Sequence, residues 1–262
     1  MVRSTQRVQF LGHADNLLAG ILELPEGSPQ GFLLFSSCFT CGKDLKAIVR
    51  ISRGLADKGW GVLRYDFSGL GNSQGNFSST NFTTNREDLR AAVAFMEREH
   101  QGPAFLIGHS FGGATSLSMV MELPTVRGVI AVAAPSDTHH LASLLESMNP
   151  EIVSRGDGSV SIGGRSHKIK RQMLDDFRSH DLPSAVQLIT KPILTFHSPA
   201  DETVDFQNAL VNCGLVSTAT CSISKLRSLI SLPNCNHLLT TKDADCVMVA
   251  EIADAWCRRF VM

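Results

Sequence analysis

Short apolar runs alternate with helical patterns along most of the chain. Runs at Ala19–Leu24, Phe32–Ser36, Gly61–Tyr65, Ala104–Ile107, Gly128–Ala133, Ile193–His197 and Ser228–Leu232 predict strands. Several lack polar alternation, as strands covered on both faces do. Between them, Asp44–Lys58, Asn85–Glu99, Gly112–Met121 and Ala244–Phe260 predict helices. In the second, Leu89, Val93 and Met96 share one face, and a Thr84-x-x-Glu87 capping box predicts its start. Strands alternating with helices in this way predict an α/β fold, a mostly parallel central sheet flanked by helices.

The alternation breaks over 136–186. Leu141, Leu144, Leu145 and Met148 have helical spacing, Ser159–Ile162 and Arg165–Ile169 flank Gly163-Gly164, and Leu174–Phe177 resumes a helical pattern. Two adjacent glycines tolerate positive φ at both turn positions, so this pair predicts a hairpin. About fifty residues inserted between two sheet strands read as a small helix/hairpin cap, not a second domain, so 1–262 is read as one domain. The apolar set of the cap is Leu141, Leu144, Leu145, Met148, Ile162, Ile169, Met173, Leu174 and Phe177. Two readings stand side by side for it. Part of the set roofs a substrate pocket, with Leu144 and Met148 as the candidate substrate-binding residues, or all of it packs the cap onto the sheet.

The chemistry centres on Gly108-His-Ser110-Phe-Gly112, a Gly-x-Ser-x-Gly motif with a strand before it and a helix after it. A sharp strand-to-helix turn exposes such a serine hydroxyl at the end of the sheet, and the glycines remove side chains that would collide across the turn. The bland alternative, a glycine-rich turn with an ordinary exposed serine, is disfavoured by those flanks. A serine nucleophile needs a base and the base needs an orienting carboxylate, in the chain order Ser, Asp or Glu, His for this motif. Of nine histidines, His237 follows the last strand and precedes the final helix. His109 and His197 read as structural. Asp201 follows the strand Ile193–His197 directly, with Glu202 and Asp205 as rivals in the same loop, and Pro199 favours Asp201 by stiffening the turn before it. Ser110, Asp201 and His237 are therefore the candidate catalytic residues. The candidate oxyanion donors are the backbone N–H groups of Phe111, which follows the nucleophile, and Phe39, in the loop after Phe32–Ser36.

These pieces resemble α/β-hydrolase-fold serine hydrolases. More narrowly they resemble the hydrolase half of bacterial proteins in which that domain precedes an OsmC-like peroxidase domain. The matching segments are Cys38-Phe-Thr-Cys-Gly-Lys-Asp-Leu45, Leu63-Arg-Tyr-Asp-Phe-Ser-Gly-Leu-Gly-Asn-Ser73, Asn81-Phe82, the serine turn, Ser161-Ile-Gly-Gly-Arg165 through Ile169-Lys-Arg-Gln172, Asp201-Glu-Thr-Val204 and His237-Leu-Leu239. The resemblance implies the α/β-hydrolase fold and cleavage of a carboxylic ester or thioester of a small or medium substrate through an acyl-enzyme. It calls for no cofactor and no metal. Acyl transfer or perhydrolysis on the same triad, and a non-catalytic binding role, are the alternatives. Dehalogenase chemistry is disfavoured because it needs an aspartate where Ser110 stands. Two departures accompany the resemblance. Ser37 stands where many relatives carry histidine, and Cys213–Leu226 is longer than usual. No OsmC-like domain follows, so any peroxidase activity is expected from a separate OsmC-like partner chain.

Composition narrows the field further. The chain of 262 residues carries 24 basic and 25 acidic residues, which leaves no electrostatic footprint for nucleic acid or an anionic membrane. Apolar stretches such as Gly128–Pro135 are too short to span a bilayer, and the N-terminus lacks the apolar core of a signal peptide. Seven scattered cysteines, an odd number, fit a reducing cytosol better than a disulfide framework, so a cytoplasmic protein is expected. Cys38-x-x-Cys41 has the spacing of a thiol redox motif, and is read instead as two small residues packing the loop. Gly69-x-Gly71 is an incomplete dinucleotide fingerprint, so Asp66–Ser73 is read as a tight loop beside the site. The expected partner is a small-molecule ester; the sequence leaves a homodimer open.

Overall fold

The computed structural model describes residues 3–215 and 226–261. Ten strands are described: β1 (Ser4–Leu11), β2 (Leu17–Leu24), β3 (Phe32–Ser36), β4 (Gly61–Tyr65), β5 (Phe105–His109), β6 (Gly128–Val132), β7 (Asp157–Ile162), β8 (Arg165–Lys170), β9 (Ile193–His197) and β10 (Arg227–Ser231). The nine described α-helices are α1 (Lys46–Ala56), α2 (Phe82–Glu99), α3 (Phe111–Met119), α4 (His139–Met148), α5 (Glu151–Ser154), α6 (Arg171–Ser179), α7 (Leu182–Gln187), α8 (Gln207–Asn212) and α9 (Asp243–Val261). Eight strands form the main sheet in the order β1-β2-β4-β3-β5-β6-β9-β10. β1–β2 and β2–β4 are antiparallel, and every other pairing in that sheet is parallel. This is the α/β-hydrolase fold.

All residues of β3, β4, β5, β6 and β9 are buried, which is why those strands read as unbroken apolar runs. One face of the sheet packs under α2, α3 and the cap, through Leu34, Leu106, Phe111 and Val129. The other face packs under α1 and α9, through Leu33, Ile107, Ile48 and Val249. The sequence reading omits β1, an edge strand that is mostly solvent-exposed and polar. Helix α2 begins three residues before the predicted start. Its capping box is formed by Asn81 and Thr84, with the Asn81 side chain accepting from the Thr84 N–H and the Thr84 hydroxyl accepting from the Asn81 N–H.

The insertion over 136–186 contains α4, α5, the β7–β8 hairpin, α6 and most of α7. Gly163 and Gly164 occupy positive φ (57° and 74°) at the hairpin turn, as their side-chain-free backbones allow. Asp176 on α6 accepts from the N–H groups of Phe82 and Thr83, which would otherwise be orphaned donors at the start of α2. A buried hydroxyl, Thr138 Oγ1, donates to the Phe177 carbonyl. The cap is thus tied to the body by polar bonds as well as by its apolar face. No described helix is long and apolar enough to cross a membrane. Of the 213–226 segment singled out in the sequence, residues 216–225 lie outside the described residues.

Candidate active site

β5 turns into α3 at Ser110, whose φ is 53° and ψ −121°. A non-glycine residue in that region is strained, and the surroundings must hold it there. The Ser110 N–H donates to the Val132 carbonyl at 2.8 Å, and its carbonyl accepts from Gly113 N–H at 2.8 Å. A Cβ at Gly108 would strike the Gly112 carbonyl, and one at Gly112 would strike the carbonyls of Ser36 and Ser37. The two glycines of the motif therefore exist because the chain passes over itself and over the end of β3.

Ser110 Oγ donates to His237 Nε2 at 3.0 Å, and His237 Nδ1 donates to Asp201 Oδ2 at 2.8 Å. His237 stands in the loop between β10 and α9. That loop is shaped by Asn234 and Leu239 at positive φ, and by the Asn236 carbonyl accepting from Leu239 N–H. Asp201 follows β9, and its other oxygen accepts from the N–H groups of Thr203 (2.8 Å) and Val204 (3.0 Å). Burial alone would raise the Asp201 pKa. The hydrogen bond from His237 and the backbone donors outweigh that effect and hold the carboxyl below its usual range. Of the rivals, Glu202 is exposed and Asp205 accepts from the Gln207 N–H at the start of α8.

Phe39 and Phe111 carry the two candidate oxyanion donors, and their rings meet edge to face with centroids 5.5 Å apart. Phe177 of the cap touches both rings, at 5.9 and 5.1 Å. Among the described residues the Phe39 N–H donates to no protein acceptor. Phe111 is the first residue of α3, where an N–H has no intrahelical partner. The loop holding Phe39 is anchored by an ion pair that the sequence reading missed. Lys43 Nζ donates to Asp66 Oδ2 at 2.7 Å and the Lys43 N–H donates to Asp66 Oδ1 at 2.6 Å, with both side chains buried. Asn72 N–H donates to the same carboxylate at 2.9 Å, and a Cβ at Gly71 (φ 53°) would overlap it. Lys43 Nζ also lies 3.3 Å from Asp44 Oδ2 and donates to Asn72 Oδ1 at 2.9 Å, so removing the Asp66 charge leaves it partly compensated. Asp66→Asn is accordingly expected to lower unfolding free energy in chemical denaturation by about 1–3 kcal/mol, the cost of leaving buried donors imperfectly paired. A loss below about 1 kcal/mol would show that the pair does not hold this loop.

The expectation that the cysteines form no disulfide is corrected. Cys38 and Cys41 are bonded to each other, with Cα atoms 5.1 Å apart. The turn after β3, in which Cys41 N–H donates to the Cys38 carbonyl, brings the two side chains together. The bond closes the turn that carries Phe39. The other described cysteines, Cys213, Cys235, Cys246 and Cys257, are buried and free, and burial raises their pKa values, that of Cys235 to about 12. Groups so shifted are poor nucleophiles at neutral pH.

A cavity of about 490 Å³ opens over Ser110 and His237. Its walls come from the Phe39 loop, from α4 (Leu141, Leu144, Leu145, Met148), from Ile162 on the hairpin, and from Val204 and Leu238. The apolar set of the cap divides. Leu144 and Met148 are exposed at the mouth, whereas Ile169, Met173, Leu174 and Phe177 are wholly buried in the core. Among the described residues no group of His, Cys, Asp or Glu side chains is arranged to hold a metal ion.

Residues 41–155 match the family described as serine aminopeptidase, S33. The esterase domain of a Rhodothermus marinus protein is 36% identical, covers all of both chains and superposes with a TM-score of 0.76. This chain belongs to the α/β-hydrolase family that domain represents. The ferulic acid-bound Est1E of Butyrivibrio proteoclasticus shares the fold, with a TM-score of 0.82 over 97% of this chain and 99% of that one, at 19% identity. The mitochondrial palmitoyl-protein thioesterase ABHD10 of Rattus norvegicus is 24% identical over 184 residues, 68% of this chain. The chain spans about three fifths of the length of the curated relatives it matches, 61% for that thioesterase and 58% for the uncharacterised protein RP471 of Rickettsia prowazekii.

Proposed function

We propose that the protein is a serine hydrolase that cleaves a carboxylic ester or thioester with a small or medium acyl group. The observation that carries this reading is the run of two hydrogen bonds from Ser110 to His237 to Asp201, set on a strained turn at the floor of a mostly apolar cavity. The esterase activity named for the Rhodothermus relative and the thioesterase activity named for the rat relative support the same chemistry.

In this mechanism Ser110 Oγ attacks the acyl carbonyl while His237 Nε2 takes its proton, and Asp201 stabilises the imidazolium. The developing oxyanion accepts from the N–H groups of Phe39 and Phe111, at the N-terminus of α3 where the helix dipole favours negative charge. Collapse expels the alkoxide or thiolate, which takes the proton from His237 and leaves Ser110 acylated. Water, deprotonated by His237, then releases the acid. The acyl chain lies along Leu144 and Met148.

A panel of p-nitrophenyl esters of increasing acyl length tests this reading. Wild-type kcat/KM is expected to peak at short or medium chains. Leu144→Ala and Met148→Ala are expected to move the optimum to longer chains, within the limit of about 1–3 kcal/mol per methylene that an apolar pocket can discriminate. No turnover of any ester or thioester would overturn the proposal. An optimum unmoved by either substitution would remove these two residues from the acyl pocket.

A further inference from the structure

Two buried histidines flank the Ser110–His237–Asp201 relay and take no part in it. His109 ends β5, one residue before the nucleophile, and its Nε2 donates to the backbone carbonyl of His237 at 2.8 Å. His197 ends β9, four residues before Asp201, and its Nε2 donates to the backbone carbonyl of Val204 at 2.8 Å. A carbonyl can only accept, so in each ring the Nε2 carries the proton. Each Nδ1 is then a bare lone pair, and both are buried with no hydrogen-bond partner among the described residues. An unpaired buried acceptor is a cost that an apolar ring would not incur. Packing therefore does not account for a histidine at either position, whereas the single Nε2–H bond does.

The two bonds have the same form and end on the two loops that must meet. β5 and β9 both pair with β6, so their ends belong to one rigid frame. His109 fixes the backbone of the loop presenting the base. His197 fixes the backbone of the turn presenting the acid, and its Nε2 also lies 3.6 Å from Asp201 Oδ2. We propose that His109 and His197 are neutral positioning residues that tie the His237 loop and the Asp201 loop to the ends of β5 and β9, the strands on either side of β6, so that His237 meets Ser110 and Asp201 at once. Their neutrality suits this place. The His109 ring lies 5.1 Å from the His237 ring, and a second cation there would oppose the imidazolium formed in catalysis. Burial, then the neighbouring His237, lowers the His109 pKa to about 4, and burial lowers that of His197.

The inference rests on the serine-hydrolase reading, and the test separates the two. His109→Phe keeps a buried ring and removes the donor; His109→Gln restores a donor of similar reach. For His109→Phe, kcat is expected to fall about 10- to 100-fold, the scale of a misplacement near 1 Å, with KM within about twofold. His109→Gln is expected to recover most of kcat, and His197→Phe to repeat the loss. Lowered thermal stability with unchanged kcat would overturn the proposal while leaving the hydrolase reading intact. A wild-type protein that turns over no ester and carries no probe on Ser110 would overturn both. Ring nitrogen NMR on the wild type supplies a check that needs no variant. Both rings are expected to be neutral with the proton on Nε2 at neutral pH, and the His109 ring to stay neutral across about pH 5 to 8, the range in which an ordinary histidine titrates. Protonation of the His109 ring in that range or of either ring at neutral pH, or a proton on Nδ1, would contradict the assignment.

Discussion

Replacing Ser110 by alanine is expected to lower kcat for ester hydrolysis on the order of 10⁶-fold, the scale seen when a nucleophile of this kind is removed. No neighbouring group takes its place. The Cys38–Cys41 pair in the cavity wall is bonded, and the free cysteines described are buried. The residual rate is expected to stay about 10³- to 10⁴-fold above water, because the Phe39 and Phe111 N–H groups and the cavity do not depend on the hydroxyl. The substitution is also expected to leave the fold intact. Ser110 Oγ bonds only to His237 among the described residues, and alanine fits wherever serine holds a positive φ. Far-ultraviolet circular dichroism beside steady-state kinetics checks both parts. Substantial residual turnover would remove Ser110 from the mechanism.

Asp201→Asn is expected to cost on the order of 10⁴ in kcat through the proton it misplaces. The asparagine oxygen still accepts from Thr203 and Val204, so its NH₂ faces His237. His237 Nδ1 then becomes the acceptor, and its proton moves to Nε2, the nitrogen that must receive the proton of Ser110. Glu202→Gln and Asp205→Asn leave that arrangement untouched and are expected to be mild. The acid also links stability to pH. Its folded pKa lies below the unfolded value of about 3.9, so its contribution is fully present above that pH. The contribution is lost as pH falls through the lower, folded value. Acid unfolding of Asp201→Asn is therefore expected to lose part of the wild-type pH dependence below about pH 4.

What the sequence discloses follows physical lines. β3, β4 and β9 are readable to the residue because strands buried on both faces leave unbroken apolar runs bounded by turn residues. β1 is hidden because an edge strand with exposed polar positions resembles a loop. Ser110, His237 and Asp201 are legible because the turn at Ser110 needs glycines and because the chain order of such groups follows strand order. The supports around them leave weaker traces. Lys43 and Asp66 stand 23 residues apart and meet only because β3 and β4 are neighbours, so no local pattern marks them as a pair. The Cys38–Cys41 bond depends on the turn after β3, which composition does not reveal. His109 and His197 look like ordinary core histidines in sequence. Only the orphaned Nδ1 atoms and the carbonyls facing Nε2 distinguish them.

The central claim is that Ser110 is a nucleophile activated by His237, and a fluorophosphonate probe reads that activation without knowledge of the natural substrate. Intact-mass analysis followed by peptide mapping, on the wild type and on His237→Ala at neutral pH, is the direct measurement. The account predicts one adduct per wild-type chain, located on Ser110, with labelling of His237→Ala slowed at least about 10³-fold, in line with the loss of a base from a triad. An adduct on another residue, or labelling of Ser110 that proceeds equally well without His237, would contradict it.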